Sequence, residues 1–184
     1  MWSPDRRALL RLSAVMGLAA LTAGCFQPMY GDKSVVQTAG LDDKLGTVDV
    51  LPIDAPNGTP LKRLAIEVRN DLLFGLTGGG AAQTPAYVLR IQLVSTQSQV
   101  IVDVNSNRPD IQNYGINASY VLSEVGTGKA VAKGTTFSRV SYNIPGQQQR
   151  FAGDRGLRDA ENRAAQVIAD NIRNRLASFF VAGT

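Results

Sequence analysis

Tyr114-Gly115-Ile116-Asn117-Ala118-Ser119-Tyr120-Val121-Leu122 is the stretch on which the fold turns. Tyr114, Ile116, Ala118, Tyr120 and Leu122 recur at every second position, with Asn117 and Ser119 between them. That period of two marks a strand with one face buried and the other wet. The run closes at Gly126-Thr127-Gly128, a turn signal, and extended character resumes from about Lys129 to Tyr142 before Asn143-Ile144-Pro145-Gly146 breaks it. Two such runs about a tight turn make a hairpin. Upstream, Tyr87, Leu89, Ile91 and Leu93 alternate with Val88, Arg90 and Gln92, and extended residues return from Val100 to Val104. Asn105-Ser106-Asn107-Arg108-Pro109-Asp110 then reads as a turn. Three long strands in a meander follow from these patterns.

Outside the meander the period changes. Leu61, Leu64, Ala65, Val68, Leu72 and Leu76 share one face of a helix that Thr59 caps, Pro60 opens and Gly78-Gly79-Gly80 stops. Val48-Asp49-Val50-Leu51-Pro52-Ile53 before it is a short strand, ended by Pro52 and the turn residues Asp54 to Gly58. From about Asp154, Leu157, Ala160, Ala164, Ile168, Ile172, Leu176 and Phe179 form the apolar stripe of the longest helix. Its Asp159 and Arg163 are spaced for an i,i+4 pair on a solvated face. The order β-α-β-β-β-α predicts an α+β fold, a two-layer sandwich in which two helices cover one face of a mixed, mostly antiparallel four-stranded sheet.

The N-terminus belongs to a different kind of segment. Arg6, Arg7 and Arg11 precede a short apolar run that ends in Leu21-Thr22-Ala23-Gly24-Cys25. A charged region, a hydrophobic stretch and small residues before a cysteine read as a lipoprotein signal peptide over residues 1–24, with Cys25 as the lipidated first mature residue. The alternatives are a plain secretory signal, or an uncleaved anchor with Cys25 as a small buried residue. Asp5-Arg6-Arg7 also resembles a twin-arginine signal, although paired arginines are common in ordinary signals and nothing downstream binds a cofactor that demands folded export. Residues 25–45 then read as a tether and residues 46–184 as one folded domain. Phe26 rather than aspartate follows the cysteine, which, by resemblance to lipoproteins in general, implies sorting to the outer membrane. Several acyl chains on one cysteine hold a membrane far more firmly than a single reversible chain.

Cleavage would remove Arg6, Arg7, Arg11 and Asp5 from a chain of 19 basic and 15 acidic residues, leaving 16 against 14. A charge of about +2 lacks the strong basic patch that binds nucleic acid. Cys25 is the single cysteine, so no disulfide closes within the chain, and there is no histidine. The commonest general base and the commonest metal ligand are therefore missing. Asp42-Asp43, Asp103, Asp110 and Glu124 show no spacing that pairs carboxylates for acid and base work. Gly78-Gly79-Gly80 closes a helix, whereas a phosphate loop opens one and carries lysine and a hydroxyl residue. These features argue against an enzyme and against any cofactor beyond the covalent lipid. Thr96, Gln97, Ser98, Gln99, Gln112, Asn113, Asn117 and Gln147-Gln148-Gln149 instead crowd the loops and strand ends with uncharged amides and hydroxyls. Such groups suit the polar interior of an outer-membrane barrel, and equally an ordinary loop surface.

The junction Gly24-Cys25-Phe26-Gln27-Pro28-Met29-Tyr30-Gly31 resembles the start of the LptE lipopolysaccharide-assembly lipoproteins, often GCGF, a variable residue, then PLYG. It departs from them in lacking the glycine after the cysteine and in having Met29 for leucine. The order of elements is similar across the mature chain, most closely to alphaproteobacterial members. The resemblance implies a non-catalytic plug within the lumen of an LptD β-barrel, lipid-anchored at the periplasmic side of the outer membrane. It also implies help in barrel assembly and binding of lipopolysaccharide in transit. Basic residues of the family that face the ligand lie in the turn between the long strands and near the start of the last helix; by position Arg108 matches the first, and Arg150 or Arg155 the second. Lys129 and Lys133, about the next hairpin, are weaker matches. An auxiliary lipoprotein of an ABC-type lipid or solvent transport system, also an anchored α/β domain, is the alternative.

Overall fold

The structure is a computed structural model that describes residues 40–80, 83–103, 108–144 and 150–182. The signal peptide, Cys25, the junction motif, the turn at Asn105-Ser106-Asn107 and Gln147-Gln148-Gln149 lie outside the described residues. In chain order the elements are α1 (Leu41–Gly46), β1 (Val48–Val50), α2 (Pro60–Thr77), β2 (Tyr87–Asp103), β3 (Arg108–Glu124), β4 (Ala130–Asn143) and α3 (Arg150–Ala182). The sheet runs β1-β2-β3-β4, with β1 parallel to β2 and the other neighbours antiparallel. The mixed four-stranded α+β sandwich expected from the sequence is the fold observed.

Local chemistry accounts for the elements. Thr59 Oγ1 accepts the Lys62 N–H at 3.3 Å at the start of α2. At its end Gly78 takes a left-handed φ of 63°, and its N–H donates to the Phe74 carbonyl at 2.8 Å. Only a residue without a Cβ adopts that backbone freely. Leu64, Ala65, Val68, Leu72 and Leu76 of α2 are buried against the sheet and α3. In α3 the buried stripe is Ala160, Ala164, Ala165, Ile168, Ala169, Ile172, Leu176 and Ala177, whose many small side chains let the helix axis come close to its neighbours. Leu89, Ile91, Leu93, Tyr114, Ile116, Ala118, Tyr120 and Leu122 close the core from the sheet. Each large aliphatic residue so buried contributes about 1.5–3 kcal/mol. Gly134 of β4 sits under the Tyr120 ring, where an added Cβ would lie 2.6 Å from its hydroxyl oxygen.

Among the described residues, Glu161 is a charged side chain buried between the helices. Glu161 of α3 is 3% exposed and pairs with the guanidinium of Arg63 on α2, which is 41% exposed. Arg63 also reaches Asn162 Oδ1 at 3.4 Å. The pair ties α2 to α3. The expected Asp159–Arg163 pair forms at 2.7 Å on the solvent side.

Several boundaries differ from expectation for physical reasons. The first strand stops at Val50 rather than Ile53, although Leu51 N–H still donates to the Leu89 carbonyl at 3.0 Å. A short helix at Leu41–Gly46, with Leu45 buried, occupies part of the segment read as tether. Arg108, Pro109 and Asp110 belong to β3 and not to the turn; Pro109 pairs with Val102 at a register irregularity, where a missing N–H is tolerated. The last helix begins at Arg150, ahead of Asp154.

Candidate functional site

The sheet has two unlike faces. Odd-numbered residues of β2 and even-numbered residues of β3 and β4 face the helices, and the opposite parity forms a face that no described helix covers. Register sets out that open face in rows across three strands: Arg90, Val121 and Lys133, then Gln92, Ser119 and Thr135, then Val94, Asn117 and Phe137, and last Thr96, Gly115 and Arg139. Its middle is uncharged, and a shallow depression of about 300 Å³ opens there among Gln92, Val94, Asn117, Ser119, Thr135 and Phe137. Phe137 is 71% exposed and Val94 59%. A Cβ on Gly115 would meet Thr96 Oγ1 at 2.7 Å, so this glycine lets the threonine lie flat across the strand. The face presents amide and hydroxyl groups around Val94 and Phe137, with Val121 and the cations Arg90 and Lys133 at one end and Arg139 at the other.

Basic residues also gather at one end of the sheet. Arg108 opens β3 opposite Asp103, just beyond Ile111, whose other neighbour is Asn143 at the end of β4. The first turns of α3 lie against that strand end, since a Cβ on Gly156 would sit 3.4 Å from the Asn143 carbonyl oxygen. Arg150 opens the same helix, and Arg155, next to Gly156, is exposed. The backbone thus brings Arg108 of β3 to the same end of the fold as Arg150 and Arg155 of α3, more than forty residues further along the sequence. A guanidinium there offers a planar fork of donors to a phosphate or carboxylate. Lys129 and Lys133 belong to the opposite end, beside the β3–β4 turn. Sequence reading passed over Arg90 and Arg139, yet strand parity alone puts both on the face of Asn117 and Ser119.

The amides named from composition divide into two sets. Gln112 Oε1 accepts the Tyr142 hydroxyl at 2.6 Å and Asn113 Oδ1 accepts the Ser141 hydroxyl at 2.7 Å, so both are engaged within the sheet. Thr96, Gln97, Ser98, Gln99 and Asn117 are exposed. Burial, then the Tyr114 phenol, push the Tyr142 hydroxyl above its usual range. Among the described residues no three of His, Cys, Asp and Glu are grouped to hold a metal ion, and no helix is long and apolar enough to cross a membrane.

Comparison with known proteins bears on this arrangement. The family model LptE, described as lipopolysaccharide-assembly, matches residues 45–176. A crystal structure of a candidate lipoprotein from Caulobacter crescentus CB15 superposes with a TM-score of 0.61 at 20% identity, covering 79% of this chain and 98% of that one. Rare lipoprotein B from Shewanella oneidensis superposes at 0.51 with 17% identity, covering 73% and 98%. A minor lipoprotein from Acinetobacter baumannii reaches 0.50 at 15% identity over 72% and 91%. At such identities these three share the fold. No curated protein sequence matches the chain.

Proposed function

Because this chain belongs to the LptE family of lipopolysaccharide-assembly proteins, we propose that it is a lipid-anchored, non-catalytic plug of an LptD-like outer-membrane barrel. In this reading Cys25 carries the lipid and the folded body sits in the barrel lumen from the periplasmic side. It supports barrel assembly and handles lipopolysaccharide on its way to the outer leaflet. The observation that carries the ligand half of the reading is the convergence of Arg108, Arg150 and Arg155 at one end of the fold. Lipid A and the inner core are anionic, held together by bridged phosphates and carboxylates, and a guanidinium competes for those oxygens with paired donors. The open sheet face supports the other half: its amides and hydroxyls meet a polar lumen wall without the desolvation cost of a buried charge. The family match over residues 45–176 ranks this reading above that of a transport auxiliary.

The ligand half is tested by measuring binding of labelled lipopolysaccharide to the lipid-free chain. Changing Arg108, Arg150 and Arg155 together to Glu is expected to weaken binding about tenfold or more, since hydrogen bonds to charged groups are worth about 1.5–3 kcal/mol each. Arg175→Glu, an exposed site near the far end of α3, serves as the control of equal charge type. Equal binding by the triple variant and the wild type would retire these arginines as contacts.

A further inference from the structure

Among the described residues, the strand edges at the rim of this sheet are not equally guarded. The Val50 carbonyl, on the outer side of β1, accepts the Arg69 Nε–H at 2.9 Å. β4, at the other rim, carries Lys133 and Arg139, the kind of charge that discourages an added strand. β2 is different. β1 covers it only at Tyr87–Leu89, and from Ile91 to Val102 it holds neither a charged residue nor a proline. Two hydrogen bonds fix the direction of its backbone: Tyr87 N–H donates to the Thr47 carbonyl and the Leu89 carbonyl accepts from Leu51 N–H. Odd-numbered residues therefore turn both N–H and C=O away from β3. Past the end of β1, those of Ile91, Leu93, Ser95 and Gln97 point outward, with no backbone partner among the described residues.

A cleft of about 380 Å³ adjoins this edge, lined by Thr59 and Leu61 at the start of α2, Ser95 and Gln97 of β2, and Leu157 and Glu161 of α3. An open ladder beside a pocket is the arrangement that strand addition uses, with main-chain bonds for affinity and a pocket for alternate side chains. We propose that the edge Ile91–Gln97 receives an added strand from the barrel partner, an extended uncharged segment with one side chain seated in the cleft beside Ser95. The partner's identity rests on the plug reading above; the mode of contact rests on the edge. Strands in the wall of a closed barrel already have their backbone groups paired, so the segment lies outside the wall. It is uncharged because the edge offers no countercharge, and Glu161 in the cleft is already neutralised by Arg63. An acyl chain has neither donors nor acceptors to match these groups.

Hydrogen exchange resolved to single amides tests the proposal on the lipidated chain, purified in detergent with its bound partner, against the lipid-free Cys25→Ala chain. In the dilute lipid-free chain the amides of Ile91, Leu93, Ser95 and Gln97 should exchange fast and those of Gln92, Val94 and Thr96 slowly. In the complex the first four should slow by about tenfold or more, as each gains a backbone hydrogen bond. No slowing in a sample that contains the barrel overturns the added strand, as does equal slowing in the concentrated lipid-free chain, which would mean self-pairing. Protection already present in the dilute chain also overturns it. A sample without any barrel protein overturns the plug reading itself. Ser95→Pro removes one outward donor and leaves the β3 ladder intact, which an edge strand tolerates. It should keep the thermal midpoint within a few degrees and lose retention of the barrel about tenfold, while unchanged retention would overturn the proposal.

Discussion

Replacing Arg63 with methionine removes the partner of a carboxylate that water barely reaches. Glu161 is 3% exposed, whereas Arg63 is 41% exposed. Breaking a fully buried ion pair by deleting one member costs about 3–5 kcal/mol, because the other charge is left without compensation. Solvent access at the Arg63 end lowers this to about 2–3 kcal/mol, still a large part of the roughly 5–15 kcal/mol that holds a domain together. Glu161→Gln alone should cost under about 1 kcal/mol, since Arg63 then returns to water and the amide keeps the shape of the carboxylate. The double variant should recover most of the Arg63→Met loss. Urea denaturation of the lipid-free chain followed by circular dichroism measures all three against the wild type, with an unchanged slope confirming that stability alone has moved. A cost below about 0.5 kcal/mol for Arg63→Met, or a double variant no more stable than the single one, would refute the claim that this pair neutralises a buried charge.

Gly134→Ala pushes a Cβ to 2.6 Å from Tyr120 Oη and 2.8 Å from its Cζ, inside a ring that is 5% exposed, so overpacking should cost about 1–3 kcal/mol by the same urea assay, and Tyr120→Leu should relieve it. Gly78→Ala forces a side chain into the left-handed cap at φ 63°, which should cost about 1 kcal/mol in thermal unfolding. Asp71 has its carboxyl held above the usual range by burial and by the nearby Glu67 and Asp170. A carboxyl raised in the folded state favours folding while it is protonated and loses that advantage as pH rises through its folded value. Asp71→Asn should therefore stabilise the protein by a few tenths of a kcal/mol at neutral pH, the scale of one i,i+4 like-charge pair, with the gain vanishing in acid. A gain that is equal at both ends of the pH range would count against this account.

How much of the fold was legible can be judged from particular residues. α2 could be read almost to the residue because Thr59, Pro60 and Gly78 satisfy or forgo the backbone groups that a helix end leaves bare. β3 was legible because Tyr114 to Leu122 must bury one face only. Arg108 was misassigned to the turn because proline after it usually signals one, whereas Pro109 opens a strand at an irregular pairing. The start of α3 was hidden by Gly153 and Gly156, weak helix formers, of which Gly156 lets the helix lie against Asn143. A period of two reports which face a residue takes, not which strand lies alongside, so neither the parallel β1–β2 pairing nor the bare edge of β2 could be seen in the sequence. The open-face cations Arg90 and Arg139 were within reach of parity; the gathering of Arg108, Arg150 and Arg155 at one end required the topology.

The central claim, a plug held by an outer-membrane barrel, is tested most directly by purifying a C-terminally tagged chain from detergent-solubilised envelopes and identifying by mass spectrometry what remains bound. The account predicts recovery of a large outer-membrane barrel protein in stoichiometric amount. Recovery of ABC-transporter components, or of the lipoprotein alone, would contradict it.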